Sequence, residues 1–513
     1  MSDALTGLKH DRNETTGGSC SSWRDIPAKM RTDVVGGVVR NQSMSATLIA
    51  LALIALALIA GAATLWTPVA VVLLAGVVLM LAWPVFLRLA REASWALPLV
   101  VAILVILMDV RGITSSSGLL RYAGTAIVLA LVVAMRGGGA RTGYAVWITA
   151  GVLCVYGLLG TFYGRFWLGT QDGALPVVLP MLICLVGWAP QVGDDAHLRF
   201  ALKVIAFLGS IFALMCAAVR VAGLTDEVSV FNHEKSFLIV LAVASAIAVR
   251  SRWLTVFALG SALAAFAAYP AATYLVAGLA ALLTLVLVRW SPDRTTRTLL
   301  GVGGLAGVLW AVLHVDSLVR LAGEYFTLVG KTDNGSTRAA LYHTALEELT
   351  AEPVFARFFT GDLTVTTRLA GQSGVVLPIH NDYLGIAMSG GVVAATLLLA
   401  VFMFANGCAI HAVRVYGLSS TRGGAITALL ASLNAAAVTA FADPVFMTPG
   451  ASTAVYAIVF ALISLCVGAA VRASPASGTP HREVSKPAQT HQVELGMGRP
   501  HSSDRADRPF DDA

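Results

Sequence analysis

Apolar and polar positions alternate along the chain in long blocks. Apolar runs of about 20 residues recur from about residue 45 to about residue 471, and most of the polar connections between them are short. A helix needs about 20 apolar residues to cross the hydrocarbon core of a bilayer, where it must satisfy its own backbone hydrogen bonds. The pattern therefore predicts an all-α polytopic membrane protein with about 12–14 transmembrane helices and one long extracytoplasmic loop that contains short helices.

The apolar runs divide the chain into five parts. The predicted helices cover about 46–64, 68–87, 95–110, 118–134, 143–161, 174–190, 200–222, 236–249, 253–268, 271–289, 298–314, 383–406, 424–441 and 451–471. Residues 1–44 form a first tail, 45–314 the first eleven helices, 315–380 the long loop, 381–472 the last three helices and 473–513 a second tail. Both tails are polar and cannot bury a core, so we expect them to be disordered.

Composition and charge place these parts relative to a membrane. The chain is 57% hydrophobic and 12% charged, whereas a soluble protein has roughly 25% charged residues. With the N-terminus inside, the inside connections carry 13 Lys and Arg residues and the outside connections and helix ends about 5, leaving out the tails and the long loop. This asymmetry follows the positive-inside rule. We therefore predict a multi-pass protein of the cytoplasmic membrane, with both termini cytoplasmic and the 315–380 loop outside.

The same distribution argues against two other kinds of binding. The net charge of +6 does not indicate nucleic-acid binding, because the basic residues are scattered between the apolar runs rather than gathered into one patch. No cysteine lies in the long loop, and no Cys or His spacing is typical of a zinc site. The cysteines therefore predict neither a disulfide framework in the loop nor a zinc site. We predict no metal and no cofactor.

The long loop holds a concentration of His, Arg, Asp and Glu that the apolar runs avoid. A turn signal at 334–335 precedes Ser336 and Thr337, and either residue can cap a helix that ends near Ala351, because Pro353 follows.

One face of this helix is predicted to carry Arg338, Leu341, Tyr342 and Ala345, which lie three, four and seven positions apart. Arg338 is either a solvated surface residue or an anion clamp, since a guanidinium group is always charged and binds phosphate through two hydrogen bonds. A helix N-terminus would add backbone donors. In the second interpretation Arg338 and Tyr342 bind substrate.

The loop closes with His380, Asn381 and Asp382, immediately before the next apolar run. Asn381 or Asp382 can cap the following helix, which is a structural role, and we also consider both as substrate-binding residues. His380 is either an interfacial anchor or a general base, since histidine is the side chain best suited to proton transfer near neutral pH. Asp382 could orient its imidazole.

Taken in order, these segments resemble the O-antigen ligase/polymerase superfamily. The matching segments read GSTRAALYHTALEELTAEP, FFTGDL and IHNDYLGIAMSGGVVAATLL, with SVFNHEKSFLIVLAVASA upstream around Asn232, and the close resemblance covers about 230–405. It implies a metal-independent inverting glycosyltransferase that acts outside the membrane on undecaprenyl-diphosphate-linked oligosaccharides. It also implies that His380 activates the acceptor hydroxyl and that Arg338 contacts the donor diphosphate.

The chain departs from the family pattern at two places. Only Gly361 remains of a Gly-x-Gly segment after the loop helix, and 267–275 lacks the arginine that many members carry. We take Arg220 as the substitute for that second phosphate-binding arginine, with Arg165 and Arg320 behind it. Each of the three is also explained as a snorkelling interfacial residue.

The predicted partners are the lipid-linked oligosaccharide donor, a sugar acceptor, membrane lipid and a flippase or chain-length regulator, without nucleic acid. Polymerase and ligase remain open, since they share a donor and differ only in the acceptor. The alternative is a multi-spanning transporter or flippase of lipid-linked or small polar substrates, which should carry charged or Gly/Pro-broken residues deep in several spans. Transferases that use an acidic pair in a long first outer loop are disfavoured, because only residues 65–67 separate the first two predicted helices.

Overall fold

The computed structural model describes residues 83–108, 117–134, 144–168, 175–186, 192, 194–221, 235–268, 272–290, 314, 317, 335–360, 364–369, 372–378 and 381–466. Only the backbone is described for residues 117–121, 272, 335–340, 364–369, 372–378 and 449. The predicted tails, the predicted helix at 46–64, residues 68–82 of the predicted helix at 68–87 and residues 298–313 of the predicted helix at 298–314 lie outside these residues.

The described part of the chain is almost entirely helical. Residues 83–92 are helical and lead through a short 3₁₀ turn, Ser94–Ala96, into the first labelled helix. The helices are α1 (Leu97–Met108), α2 (Ser117–Ala134), α3 (Tyr144–Tyr163), α4 (Leu175–Val186), α5 (Asp195–Val221), α6 (Ser236–Val249), α7 (Arg252–Ala268), α8 (Ala272–Trp290), α9 (Gly335–Ala351), α10 (Asp382–Tyr416), α11 (Thr421–Thr439) and α12 (Pro449–Cys466).

Uninterrupted apolar runs give helices whose ends match the predicted ones closely. Helix α6 has the predicted bounds, α2 and α7 each begin one residue earlier than predicted, and α8 begins and ends one residue later. Helix α5 begins at Asp195 rather than near residue 200. The carboxylate of Asp194 accepts hydrogen bonds from the N–H groups of Ala196 and His197, both at 3.0 Å, and thereby caps a polar first turn. The His197 N–H holds the pKa of Asp194 below its ordinary value.

Four helices are long and apolar enough to cross a membrane, namely Tyr144–Leu168, Asp195–Val221, Thr273–Trp290 and Asp382–Tyr416. Six further apolar helices are shorter. The outer faces of α3, α7 and α8 expose large apolar side chains, including Val155 (58%), Leu263 (67%) and Leu279 (57%). Contiguous apolar patches of this kind are rare on soluble monomers but suit contact with lipid. A membrane protein is therefore plausible, while the predicted number of spans and their orientation stay predictions.

The centre of the bundle is formed by α11 and α12. Along α12 the side chains of Val455, Tyr456 and Ile458 are fully buried, and the small residues of α11 allow close packing against α6, α8 and α10. Polar side chains also connect helices. Asn406 Nδ2 of α10 donates to Asn434 Oδ1 of α11 at 2.9 Å, and Asn434 Nδ2 donates to the hydroxyl of Thr284 in α8 at 3.0 Å.

Contacts at the helix termini define two ends of the bundle. At the first, the start of α6 and the start of α10 meet the end of α11: the hydroxyls of Ser236 and Thr439 are 3.1 Å apart, and the Asp382 N–H donates to Ala440 O at 2.9 Å. We call it the loop end. At the opposite end, Arg250 Nη2 donates to Ser419 O at 2.7 Å, and Arg422 Nε donates to Leu465 O at 3.0 Å. We call this the arginine end.

Between α9 and α10 lies a two-stranded antiparallel hairpin that the sequence pattern did not lead us to expect. Strand β1 (Thr364–Leu369) pairs with β2 (Gln372–Pro378) in the register Thr364↔Pro378, with one irregularity near Leu369. Both strands contain the β-branched residues that favour extended backbone. The all-α prediction holds for the described residues apart from this hairpin.

Candidate active site

Helix α9 packs on the beginning of α10 through the face predicted from its spacing. Leu341, Tyr342 and Ala345 are 1%, 8% and 0% exposed and form one buried cluster with Met388, against which Leu384 packs. The shared apolar face of α9 is thereby confirmed. Arg338 lies in the first turn of the same helix, three residues before Leu341, and its side chain lies outside the described part. The role of Tyr342 in substrate binding stays a prediction.

The entry to α10 is fixed by two adjacent polar residues. Asn381 is the N-cap, and its side-chain oxygen accepts a hydrogen bond from the Leu384 N–H at 3.0 Å. Asp382 is fully buried, and its Oδ2 accepts a hydrogen bond from the Phe446 N–H at 2.5 Å. Of the two capping candidates, Asn381 is thus the cap. Both residues have structural partners, and their predicted substrate contacts are untested. His380 directly precedes Asn381 and lies outside the described residues.

Two further charged residues are buried at the loop end. Lys235 is 1% exposed and Asp443 is 3% exposed. Lys235 precedes Ser236, which contacts Thr439, and the N–H of Asp443 donates to Thr439 O at 3.0 Å. Burying a charge is costly unless it is paired, and ionisable residues within membrane proteins often mark functional sites. The sequence analysis assigned neither residue to the site. Both lie directly beside an apolar run, and this position is the sequence feature that could have indicated them.

Helix α10 is broken at Gly391, where φ is +72° and ψ is −178°. In an unbroken helix, each carbonyl accepts a hydrogen bond from the N–H four residues later. Here the N–H of Val392 donates instead to Pro353 O at 2.9 Å. The break therefore frees the carbonyls of residues 388–390 from their helical partners.

Groups from outside α10 satisfy all three carbonyls. The N–H of Arg357 donates to Met388 O at 3.3 Å, and the N–H of Phe359 donates to Ser389 O at 2.7 Å. The hydroxyl of Tyr156, from α3, donates to Gly390 O at 2.9 Å. Buried backbone groups that lose their helical partners are costly unless other groups replace those hydrogen bonds, as they do here. We call residues 352–360, which supply most of it, the strap.

Glycines make room for the strap. A Cβ atom at Gly391 would lie 1.9 Å from Val354 O, and one at Gly160 in α3 would lie 1.9 Å from Phe358 O. At Gly390 a Cβ would lie 2.3 Å from the ring of Phe359. The strap thus lies in a slot between α3 and α10. Glycines line this slot, so the strap approaches the backbone of both helices.

The strap is also tied to α9. Arg357 Nε donates to Glu348 Oε2 at 2.9 Å, and its Nη2 contacts the same oxygen. Helix α9, the strap and the first part of α10 are consequently joined by a buried apolar cluster, an ion pair and backbone hydrogen bonds. Arg357 was not among the predicted site residues, and its pairing with Glu348 gives it a structural role.

Two of the remaining predicted arginines lie in the described part of the chain, and both are exposed. Arg220 is exposed in the last turn of α5. The first turn of that helix lies at the arginine end, where Asp195 accepts a hydrogen bond from the Thr421 hydroxyl. Arg165 is exposed in the π-helical turn Gly164–Leu168 that follows α3. Arg320 lies outside the described residues. Arg220 therefore lies at the loop end with Asn381, and its role toward a diphosphate remains a prediction.

No protein-family model matches the chain, and no curated protein is significantly similar to it. The described residues contain no group of three or more His, Cys, Asp or Glu side chains that could hold a metal ion.

Proposed function

We propose that the chain is a membrane glycosyltransferase. It transfers an oligosaccharide from an undecaprenyl-diphosphate donor to a sugar hydroxyl at the outer face of the cytoplasmic membrane, as a polysaccharide polymerase or an O-antigen-type ligase. One observation carries the proposal. The helix that bears Arg338 and the helix entry that follows His380 share a single buried cluster, built from Leu341, Tyr342, Ala345 and Met388.

The reaction is a single displacement. His380 accepts the proton of the acceptor hydroxyl, and the hydroxyl oxygen attacks the anomeric carbon of the donor with inversion. The bond between that carbon and the diphosphate oxygen breaks, and Arg338 and Arg220 stabilise the charge that develops on the leaving diphosphate. The lipid chain of the donor stays in the bilayer, so the reacting groups meet at high effective concentration.

The second candidate, a transporter or flippase, is favoured by the broken helix α10 and by the buried charges Lys235 and Asp443. Transporters use such breaks to coordinate substrates and ions through unwound backbone. In this chain, however, Met388 O, Ser389 O and Gly390 O each accept a hydrogen bond from the protein itself. The break therefore anchors the strap, and this favours the enzyme.

The test replaces His380 with Ala in the producing cell. Loss of general-base catalysis should lower polymer formation by about 100-fold or more. Chain length and amount of surface polysaccharide are measured by gel electrophoresis at equal protein level. His411→Ala is the matched control, because His411 is an exposed histidine in the second part of α10. Unchanged polymer in the His380→Ala strain would contradict the catalytic role, and transport of a labelled solute in proteoliposomes would favour the second candidate.

A further inference from the structure

A single hydroxyl joins three separate elements at the break in α10. The Tyr156 hydroxyl of α3 donates to Gly390 O at 2.9 Å and lies 3.5 Å from Phe355 O of the strap. Gly390 belongs to the part of α10 that begins at Asn381. The hydroxyl is therefore in contact with both the strap and the helix segment that enters directly after His380.

The ring of Tyr156 also packs on the strap. The edges of Phe358 and Phe359 meet it at centroid distances of 5.2 Å and 5.7 Å, and Phe355 lies at 6.3 Å. Edge-to-face pairs of this kind add to the stability gained from burial alone. The aromatic residues of the strap thus enclose one tyrosine of α3.

The strap backbone is strained where it surrounds this ring. Ala356, Phe358 and Phe359 have φ values of +46°, +48° and +56°, and they are three of the four non-glycine residues with positive φ in the described part of the chain. Such conformations persist only where surrounding contacts enforce them, and they cluster at functional sites. The hydrogen bonds to Met388 and Ser389 and the packing on Tyr156 are the contacts that enforce them here.

We propose that Tyr156 is a positioning residue, which holds the strap and the 382–390 segment of α10 in the arrangement that transfer requires. It acts through the strap and makes no contact with substrate. The effect on transfer rests on the proposed function, whereas the effect on the strap does not. Without the hydroxyl, Gly390 O loses its partner, the strap opens more often, and α9 moves relative to the entry of α10.

The test compares Tyr156→Phe with Tyr163→Phe. Tyr163 lies in the same helix and is exposed, and its ring stacks on Trp167 and lies edge-to-face with Phe358 at a centroid distance of 6.4 Å. Tyr163→Phe keeps both ring contacts and removes only the hydroxyl. Hydrogen–deuterium exchange is measured by mass spectrometry in lipid nanodiscs on peptides covering 352–360 and 382–392. Loss of one hydrogen bond should accelerate exchange of the strap amides by about tenfold in Tyr156→Phe and leave Tyr163→Phe like the wild type.

A kinetic measurement then separates positioning from general destabilisation. The donor is lipid-linked oligosaccharide extracted from cells that lack this gene, and the proteins are compared at equal folded amounts. Misplacement of catalytic groups should lower kcat by about tenfold and change KM by less than about twofold. Phe358→Leu, which removes one ring from the Tyr156 cluster, should shift exchange and kcat in the same direction by a smaller factor. It serves as the test if Tyr156→Phe does not fold.

Each outcome counts for or against one claim. Wild-type exchange in Tyr156→Phe overturns the proposal, and so does a wild-type kcat when His380→Ala is inactive. A wild-type protein that performs no transfer contradicts the proposed function. The exchange rates then still test whether the Tyr156 hydroxyl stabilises the strap.

Discussion

The two ends of the helix bundle differ in one respect: among the described residues, the charged side chains that are buried all lie at the loop end. At the arginine end, charged groups stay partly exposed and meet each other or helix-end carbonyls. Arg88 Nε donates to Glu92 Oε2 at 2.7 Å with side chains 39% and 31% exposed. This pair lies at the arginine end, because Glu92 Oε2 is 3.5 Å from Nε2 of His197 in the first turn of α5. Arg250 Nη2 donates to Ser419 O at the same end.

At the loop end, Arg220 and the Glu348–Arg357 pair are also partly exposed. The same end, however, holds Lys235, Asp382 and Asp443, which are at most 3% exposed.

The difference matters because exposed and buried charges affect stability differently. Exposed ion pairs contribute about 0–1 kcal/mol each, so each charged group at the arginine end contributes little to stability. Buried charges cost several kcal/mol each on transfer from water and need fixed partners. They therefore occur where the surrounding structure is tightly determined. The loop end is such a place, because the strap, α9 and the entry to α10 enforce one another there.

The largest effect should come from removing the slot that holds the strap. Gly391→Ala places a Cβ atom 1.9 Å from Val354 O at a φ of +72°. We expect the strap to be expelled and the protein to lose more than about 3 kcal/mol of stability. The measurement is the apparent melting temperature in nanodiscs, together with the folded fraction in size-exclusion chromatography.

Gly407→Ala is the matched control in the same helix, since nothing lies within 4 Å of a Cβ atom at Gly407. Alanine favours helix over glycine by up to about 1 kcal/mol, so this variant should be neutral or stabilised. Equal behaviour of the two variants would mean that the break in α10 is not tightly determined, and the contrast between the ends would fail.

The ends of most described helices could be predicted from the sequence because they depend on local signals. Helix α6 begins and ends where its apolar run does, and α9 ends at Ala351 just before Pro353. Helix α5 starts earlier than predicted because the cap at Asp194 extends it through polar residues that carry no hydropathy signal. Helix α10 likewise runs to Tyr416, past Asn406, where we placed its end.

The strap could not be predicted, because its partners are distant in the sequence. Its hydrogen bonds reach Met388 and Ser389, and its aromatic residues pack on Tyr156, about 200 positions away. In the site itself, the apolar face of α9 follows from residue spacing, and the capping role of Asn381 follows from residue type. The burial of Lys235 and Asp443 follows from neither, since it depends on which helix ends meet.

An intermediate effect is expected at the buried carboxylate of Asp382. Asp382→Ala leaves the Phe446 N–H without its acceptor in a buried site, so we expect a loss of about 2–3 kcal/mol. Asp382→Asn retains a side-chain oxygen that can accept the same hydrogen bond and should lose less than half as much. Apparent melting temperatures of the two variants measure the difference.

The same pair of variants sharpens the role of Asp382. If it only holds the 441–446 turn against α10, Asp382→Asn should retain both stability and polymer formation. A stable Asp382→Asn protein that forms no polymer would instead support the predicted contact with substrate. Equal stability of Asp382→Ala and the wild type would show that the buried carboxylate of Asp382 contributes nothing to the free energy of unfolding.

The smallest effect belongs to the arginine end. Arg422 Nε donates to Leu465 O at 3.0 Å, and its guanidinium carbon lies 4.5 Å from the ring centre of Tyr416. Because such contacts are partly exposed, Arg422→Ala should cost only about 0.5–1 kcal/mol. Arg91→Ala, at an exposed arginine, is the control and should cost less. Since one charge among many sets orientation only weakly, neither variant should invert the protein, as measured by cysteine accessibility from the two sides of the membrane. A loss at Arg422 as large as that at Asp382 would remove the distinction between the two ends.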